Sequence, residues 1–147
     1  LHPLDVNDPA ACERLASFIF ADQPERAERL DRALAIARHH PPRLDTGDAA
    51  SWLATQLALP APDGRHRVVL HSMVLQYLSA EDRARIEATL REAGASATMT
   101  RPFAAVGFEW DQARQRVELR LRSWPDGRDR VLAHCHPYGA WIHWLTT

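Results

Sequence analysis

The residue pattern predicts an α/β three-layer sandwich: a mostly parallel sheet with helices on its faces, ending in an antiparallel meander. Three observations carry that prediction. Strand-like and helix-like segments alternate between Arg43 and Gly94, the pattern of a parallel sheet with covering helices. Val68-Val69-Leu70 is a continuous apolar run, as expected of a central strand covered on both faces. From Val117 onward apolar and charged residues alternate with period two, and turn residues separate the runs. With 147 residues, 46% apolar and 25% charged, the chain reads as a single domain. A fold of that size buries roughly 68–70% of its unfolded surface, so neither a metal nor a disulfide is needed to make a core.

Each element has a local reason. Residues 1–7 read as extended, with Pro3 constraining His2 and Leu4-Asp5-Val6 able to enter a strand. Asp8-Pro9 is an N-cap followed by proline at the first helical position, opening a helix to about Phe20 with Leu15, Phe18 and Ile19 as its apolar side. Asp22 and Glu25 are spaced as a capping box around Pro24, and Ala27, Leu30, Leu34 and Ala37 recur at helical spacing until Pro41-Pro42. Arg43-Leu44-Asp45 is strand-like, Thr46-Gly47-Asp48 a turn, residues 49–59 a helix and residues 60–67 a loop. Ser79 caps a helix over 80–93 with Ile86 and Leu90 inward, and Gly94 stands where such a helix ends. Residues 103–108 make a buried strand. Val117, Leu119 and Leu121 form a half-exposed one, and Pro125-Asp126-Gly127 turns into a return strand over 131–136. Tyr138-Gly139 reverses the chain again into Trp141-Ile142-His143-Trp144.

Composition excludes several function classes. A formal net charge of −1 argues against a dedicated nucleic-acid grip or an anionic-membrane anchor. No apolar run approaches the roughly 20 residues of a membrane helix. All 18 basic residues are arginine, so no lysine can form a Schiff base or serve a P-loop. Cys12 and Cys135 are far apart and in no CxxC arrangement, which fits a reducing cytoplasm. The chain opens at Leu1 in a Pro/Asp-rich stretch, and we expect it to be the C-terminal part of a longer product.

Several side chains carry chemistry, each beside a plainer role. His71 is a candidate general base or a hydrogen-bonded structural histidine at a strand end. Ser72 lacks the flanking glycines of a nucleophile elbow, which argues against a serine hydrolase. Tyr77 suits substrate contact or packing against the helix that starts at Ala80. His134, Cys135, His136 and His143 are the densest group of metal-ligand types, yet two histidines sharing one strand face fall short of a zinc site, so no metal is expected. His39-His40 suits the negative end of a helix. Trp110, Trp124, Trp141 and Trp144 gather in the last third; they suit core positions, or an interface with a second copy or a preceding region of the chain. A nucleic-acid role for them is weakened by the interleaved acids.

Motifs in order along nearly the whole chain resemble the C-terminal part of an uncharacterised bacterial family, domain of unknown function 2332. They are Pro3-Leu4-Asp5-Val6 with Asp8-Pro9, Asp22-Gln23-Pro24-Glu25-Arg26, Pro41-Pro42-Arg43-Leu44 with Gly47-Asp48, and His71-Ser72 with Gln76-Tyr77-Leu78. Glu109, Trp124-Pro125-Asp126-Gly127 and residues 133–139 complete the set. That family in turn resembles class I methyltransferases that use S-adenosylmethionine, which implies a Rossmann-like sheet. The resemblance places Asp48, which also suits a helix cap, at the cofactor's adenine, and His71, Ser72 and Tyr77 toward a small-molecule site; Glu109 and His136 join them from the family motif alone. No glycine-rich turn between a strand and a helix occurs in residues 1–147, so S-adenosylmethionine is a candidate cofactor for the longer chain only, and none is expected for this chain by itself. The rival expectation is a non-catalytic interaction module of the same fold; a histidine-based metal-dependent enzyme is a third.

Overall fold

The computed structural model describes residues 3–145, and the reading of His2 lies outside them. These residues form two compact units, one through Gly47 and one from Asp48 onward. The first holds helices α1 (Pro9–Ala16) and α2 (Pro24–His39). Asp8 caps α1 by accepting from the Ala10 N–H at 3.0 Å, as its position before Pro9 requires. The helix stops short of Phe20 because the backbone turns after Ser17, leaving Phe18 exposed. The capping box of α2 does not form; Gln23 occupies the cap and its side-chain oxygen accepts from Arg26 instead. Ala11 and Leu34 are the buried residues of this pair. Neither Leu4-Asp5-Val6 nor Arg43-Leu44-Asp45 is a strand. No described strand offers either a ladder partner, and the Val6 carbonyl accepts from Arg38 at 3.0 Å.

The second unit runs α3 (Ala49–Ala58), β1 (Arg67–Ser72), a short 3₁₀ turn (Leu75–Tyr77), α4 (Ala80–Ala95), β2 (Phe103–Trp110), β3 (Val117–Trp124), β4 (Arg128–Cys135) and β5 (Ile142–Trp144). The sheet is mixed, five strands in the order β1-β2-β3-β4-β5, and mostly antiparallel: only β1 and β2 are parallel. This corrects the mostly parallel expectation. One connection, through α4, is long enough to return the chain to the same end of the sheet, whereas the links after β2, β3 and β4 are short and force hairpins. The Val68-Val69-Leu70 strand is an edge strand and not a central one. Val69 packs on the core, while Val68 and Leu70 on the opposite face are 55% and 71% exposed. Both helices of this unit pack on one face of the sheet, so among the described residues this unit has two layers, helix and sheet.

The core between helices and sheet is Ala50, Leu53, Ile86, Leu90, Phe103 and Ala105. Burying a leucine such as Leu90 is worth about 1.5–3 kcal/mol. Gly94 lies inside α4 and does not end it: a Cβ there would come within 2.5 Å of the Trp124 indole, so the missing side chain is what lets the helix approach the sheet. Trp124 in turn stacks on Phe103 with ring centroids 5.4 Å apart. On the opposite face Val117, Ala133 and Cys135 form a second cluster under Phe108, Trp110 and Leu119. A bulge separates the halves of the β3–β4 ladder, where Arg120 pairs with Val131 and Leu119 with Ala133, leaving Leu132 unpaired.

Candidate functional site

The C-terminal ends of the two parallel strands meet where His71 stands on β1 and Glu109 on β2. His71 pairs in register with Gly107, and period-two alternation puts Glu109 on the same, helix-covered face two residues further on. His71 Nδ1 lies 2.9 Å from Glu109 Oε1, and the two side chains are only 19% and 13% exposed. The same oxygen accepts from the backbone N–H of Val74 at 3.1 Å and of Leu75 at 3.4 Å, where the chain turns after β1. A carboxylate only accepts, so Nδ1 carries the proton, and in the neutral ring Nε2 is left as a bare acceptor. Gly107 sets the ring's position, since a Cβ there would come within 2.8 Å of His71 Cε1.

Beside this pair lies a cavity of about 330 Å³ between α4 and the sheet, floored by Ile86 and Leu90. Its charged lining is Arg83, Glu87, Glu118, Arg120, Arg122 and Asp129, besides Glu109 itself. Most of these neutralise one another. Arg120 holds Asp129 at 2.8 Å and Glu118 at 3.4 Å, and Arg122 holds Glu87 at 2.7 Å. Desolvation acts against the Arg120 charge, but Asp129 and Glu118 together outweigh it and push the guanidinium up from its ordinary value.

The other candidates lie apart from this cavity. Ser72 follows His71 in the strand and so points to the opposite face, exposed. Tyr77 is 82% exposed. His136 sits beyond β4, with β2 and β3 between that strand and β1; its Nδ1 accepts from the Tyr138 N–H, and its ring meets those of Tyr138 and Trp141. Asp48 caps α3, accepting from the Ser51 N–H at 2.8 Å, and that hydrogen bond is the main cause holding its carboxyl below the usual aspartate range. Cross-strand neighbours His134 and His143 line a separate opening of about 450 Å³ with Cys135 and Trp141. Burial pushes the Cys135 thiol up, away from thiolate chemistry. Among the described residues no group of three histidine, cysteine or carboxylate side chains could hold a metal ion.

Sequence reasoning missed Arg83 and Gly107. Arg83 stands three residues before Ile86 and seven before Leu90, one turn ahead of the buried positions of α4 and itself exposed at the cavity's edge, and that spacing was the available signal. Gly107 interrupts the apolar run of residues 103–108, which marks a close approach by another group.

A model of the family of uncharacterized proteins conserved in bacteria, DUF2332, matches residues 1–144, and the chain belongs to that family. No curated protein and no solved structure matches it. Among the described residues no helix is long and apolar enough to cross a membrane.

Proposed function

We propose, from membership in this bacterial family and the geometry at the ends of β1 and β2, that the chain handles a small molecule, with His71 as its general base. The observation that carries this reading is the 2.9 Å contact between His71 Nδ1 and Glu109. A carboxylate fixed by two backbone N–H groups orients the imidazole and stabilises the imidazolium that forms when Nε2 takes a proton from a substrate hydroxyl. Position supports it as well, since ligands of α/β sheets bind outside the carboxyl ends of the parallel strands. Ser72, Tyr77 and His136 have no part in this step.

The methyltransferase resemblance fits as far as a base facing an acceptor hydroxyl. S-Adenosylmethionine itself does not fit the residues present. No described strand leads into Asp48, and residues 1–147 hold no glycine-rich turn. A calorimetric titration of this chain with S-adenosylhomocysteine is expected to give no binding heat; micromolar binding would overturn that part of the reading.

The proposal on His71 is tested by nitrogen NMR of the imidazoles. In the neutral protein His71 should show a protonated Nδ1 and a bare Nε2, and Glu109→Gln should weaken that preference. A proton resident on Nε2 would sink it. A second reading, a non-catalytic interaction module, is favoured by Val68 and Leu70, which lie exposed on a strand paired on one side only among the described residues. Sedimentation over a range of concentrations separates the two: self-association lost in Leu70→Lys, with the His71 signature absent, would favour the module.

A further inference from the structure

We infer that the cavity beside His71 takes a small monocarboxylate bearing a neighbouring hydroxyl, with the carboxylate on Arg83 and the hydroxyl at His71 Nε2. This rests on the reading of His71 given above and names its substrate class. The argument comes from which groups are already engaged. Of the four carboxylates lining the cavity, Glu109 is held by His71 and two backbone N–H groups, Glu87 by Arg122 and Arg91, and Glu118 and Asp129 by Arg120. Arg120 and Arg122 are thereby occupied. Arg83 lines the same cavity, and among the described residues it alone of the three lining guanidiniums has neither an ion-pair nor a side-chain hydrogen-bond partner. His71 Nε2 is likewise uncommitted, because Nδ1 makes the bond to Glu109.

A ligand that satisfies both must bring one anionic group and one acidic hydrogen. The guanidinium fork matches a planar carboxylate in a bidentate arrangement. A dianionic phosphate suits the site less well than a monoanion: three guanidiniums against four carboxylates leave the lining one net negative charge, and each charge a ligand brings is opposed by it. The volume of about 330 Å³ lies at the small end of ligand pockets, which favours a compact acid over a nucleotide. Leu75, Ile86 and Leu90 supply apolar wall for a short carbon chain.

The test uses lactate as the probe and NMR of the arginine Nε–H and imidazole groups as the readout. Lactate should shift Arg83 and His71 together with a millimolar dissociation constant, and methyl lactate, which lacks the charge, should not. Arg83→Gln should weaken lactate about tenfold, as expected for losing a charge-assisted pair; Arg83→Lys, which keeps the charge without the fork, should fall between. Arg83 is exposed and unpartnered, so neither change threatens the fold, and an unchanged amide spectrum will show it. The inference fails if lactate leaves both groups unmoved, if binding survives Arg83→Gln, or if inorganic phosphate moves the same groups at lower concentration. The tautomer of His71 in the free protein is read in the same spectra: the expected tautomer without lactate binding sinks this inference alone, whereas the reversed tautomer sinks the reading beneath it.

Discussion

Two ends of the same sheet carry histidines, and they differ in what holds them. At the end of β1, His71 has one carboxylate partner, a glycine that makes room for its ring, and a cavity walled by core leucine and isoleucine. At the β4–β5 end, His134, His136 and His143 are more numerous and closer in sequence, yet their neighbours are aromatic rings, a cysteine and backbone N–H groups, with Trp141 52% exposed. The density of chemistry-bearing residues is therefore a poor guide. What sets His71 apart is a fixed acceptor on one nitrogen and cavity space beside the ring, the arrangement a general base needs.

The comparison breaks most visibly through stability. Leu90→Ala, beneath the His71 cavity, should cost about 2–5 kcal/mol in urea unfolding, whereas Trp141→Ala at the other end should cost less than about 1 kcal/mol. Equal losses would mean that the two ends are built alike. Gly107→Ala comes next, at about 1–3 kcal/mol, since its methyl must push the His71 ring aside, and the Nδ1–H signature should vanish with it. Glu109→Gln should cost about 1 kcal/mol, because its side-chain oxygen can still accept from Val74 and Leu75, and should sharpen the contrast by releasing the tautomer alone.

The smallest effect is a pH dependence away from both histidine groups. The folded protein lowers the pKa of Asp48, so the carboxylate contributes stability that is present above its unfolded pKa and is lost as pH falls through the folded value. Asp48→Asn keeps an N-cap acceptor and removes the charge, so its unfolding midpoint should depend less steeply on pH below about 4 than that of the unaltered chain. Parallel acid limbs for the two proteins would show that the cap does not titrate with folding.

Much of this was written locally. Asp8-Pro9, Ser79, the turn at Pro125-Asp126-Gly127 and the alternation from Val117 each fix an element through contacts a few residues apart, and all stand in the structure. The mostly parallel sheet was expected from an alternation that counted Arg43-Leu44-Asp45 as a strand; without it one parallel pair is left, and Val68 and Leu70 looked central because apolarity is the same at a sheet's edge. Gly94 was misread because a glycine required by a distant indole and one required by a helix end are the same letter. The pairing of His71 with Glu109 was not legible from spacing: 38 positions separate them, and only the parallel register through α4 brings them together. Family motifs put both on the candidate roster without saying that they touch.

The bulge at Leu132 has a consequence for how the sheet can change length. Before it, Asp129 and Val131 pair with Arg122 and Arg120 on the helix-facing side; after it, Ala133 and Cys135 pair with Leu119 and Val117 on the other. Removing the unpaired residue would join those two halves as a regular strand in which every partner keeps its face. A one-residue deletion is thus absorbed by the β3–β4 ladder at this point, with only the Leu132 carbonyl's bond to the Leu145 N–H given up, while anywhere else in β4 it would turn Ala133 and Cys135 out of their cluster or Asp129 away from Arg120. Among homologous chains, length variation within this strand should therefore concentrate at position 132.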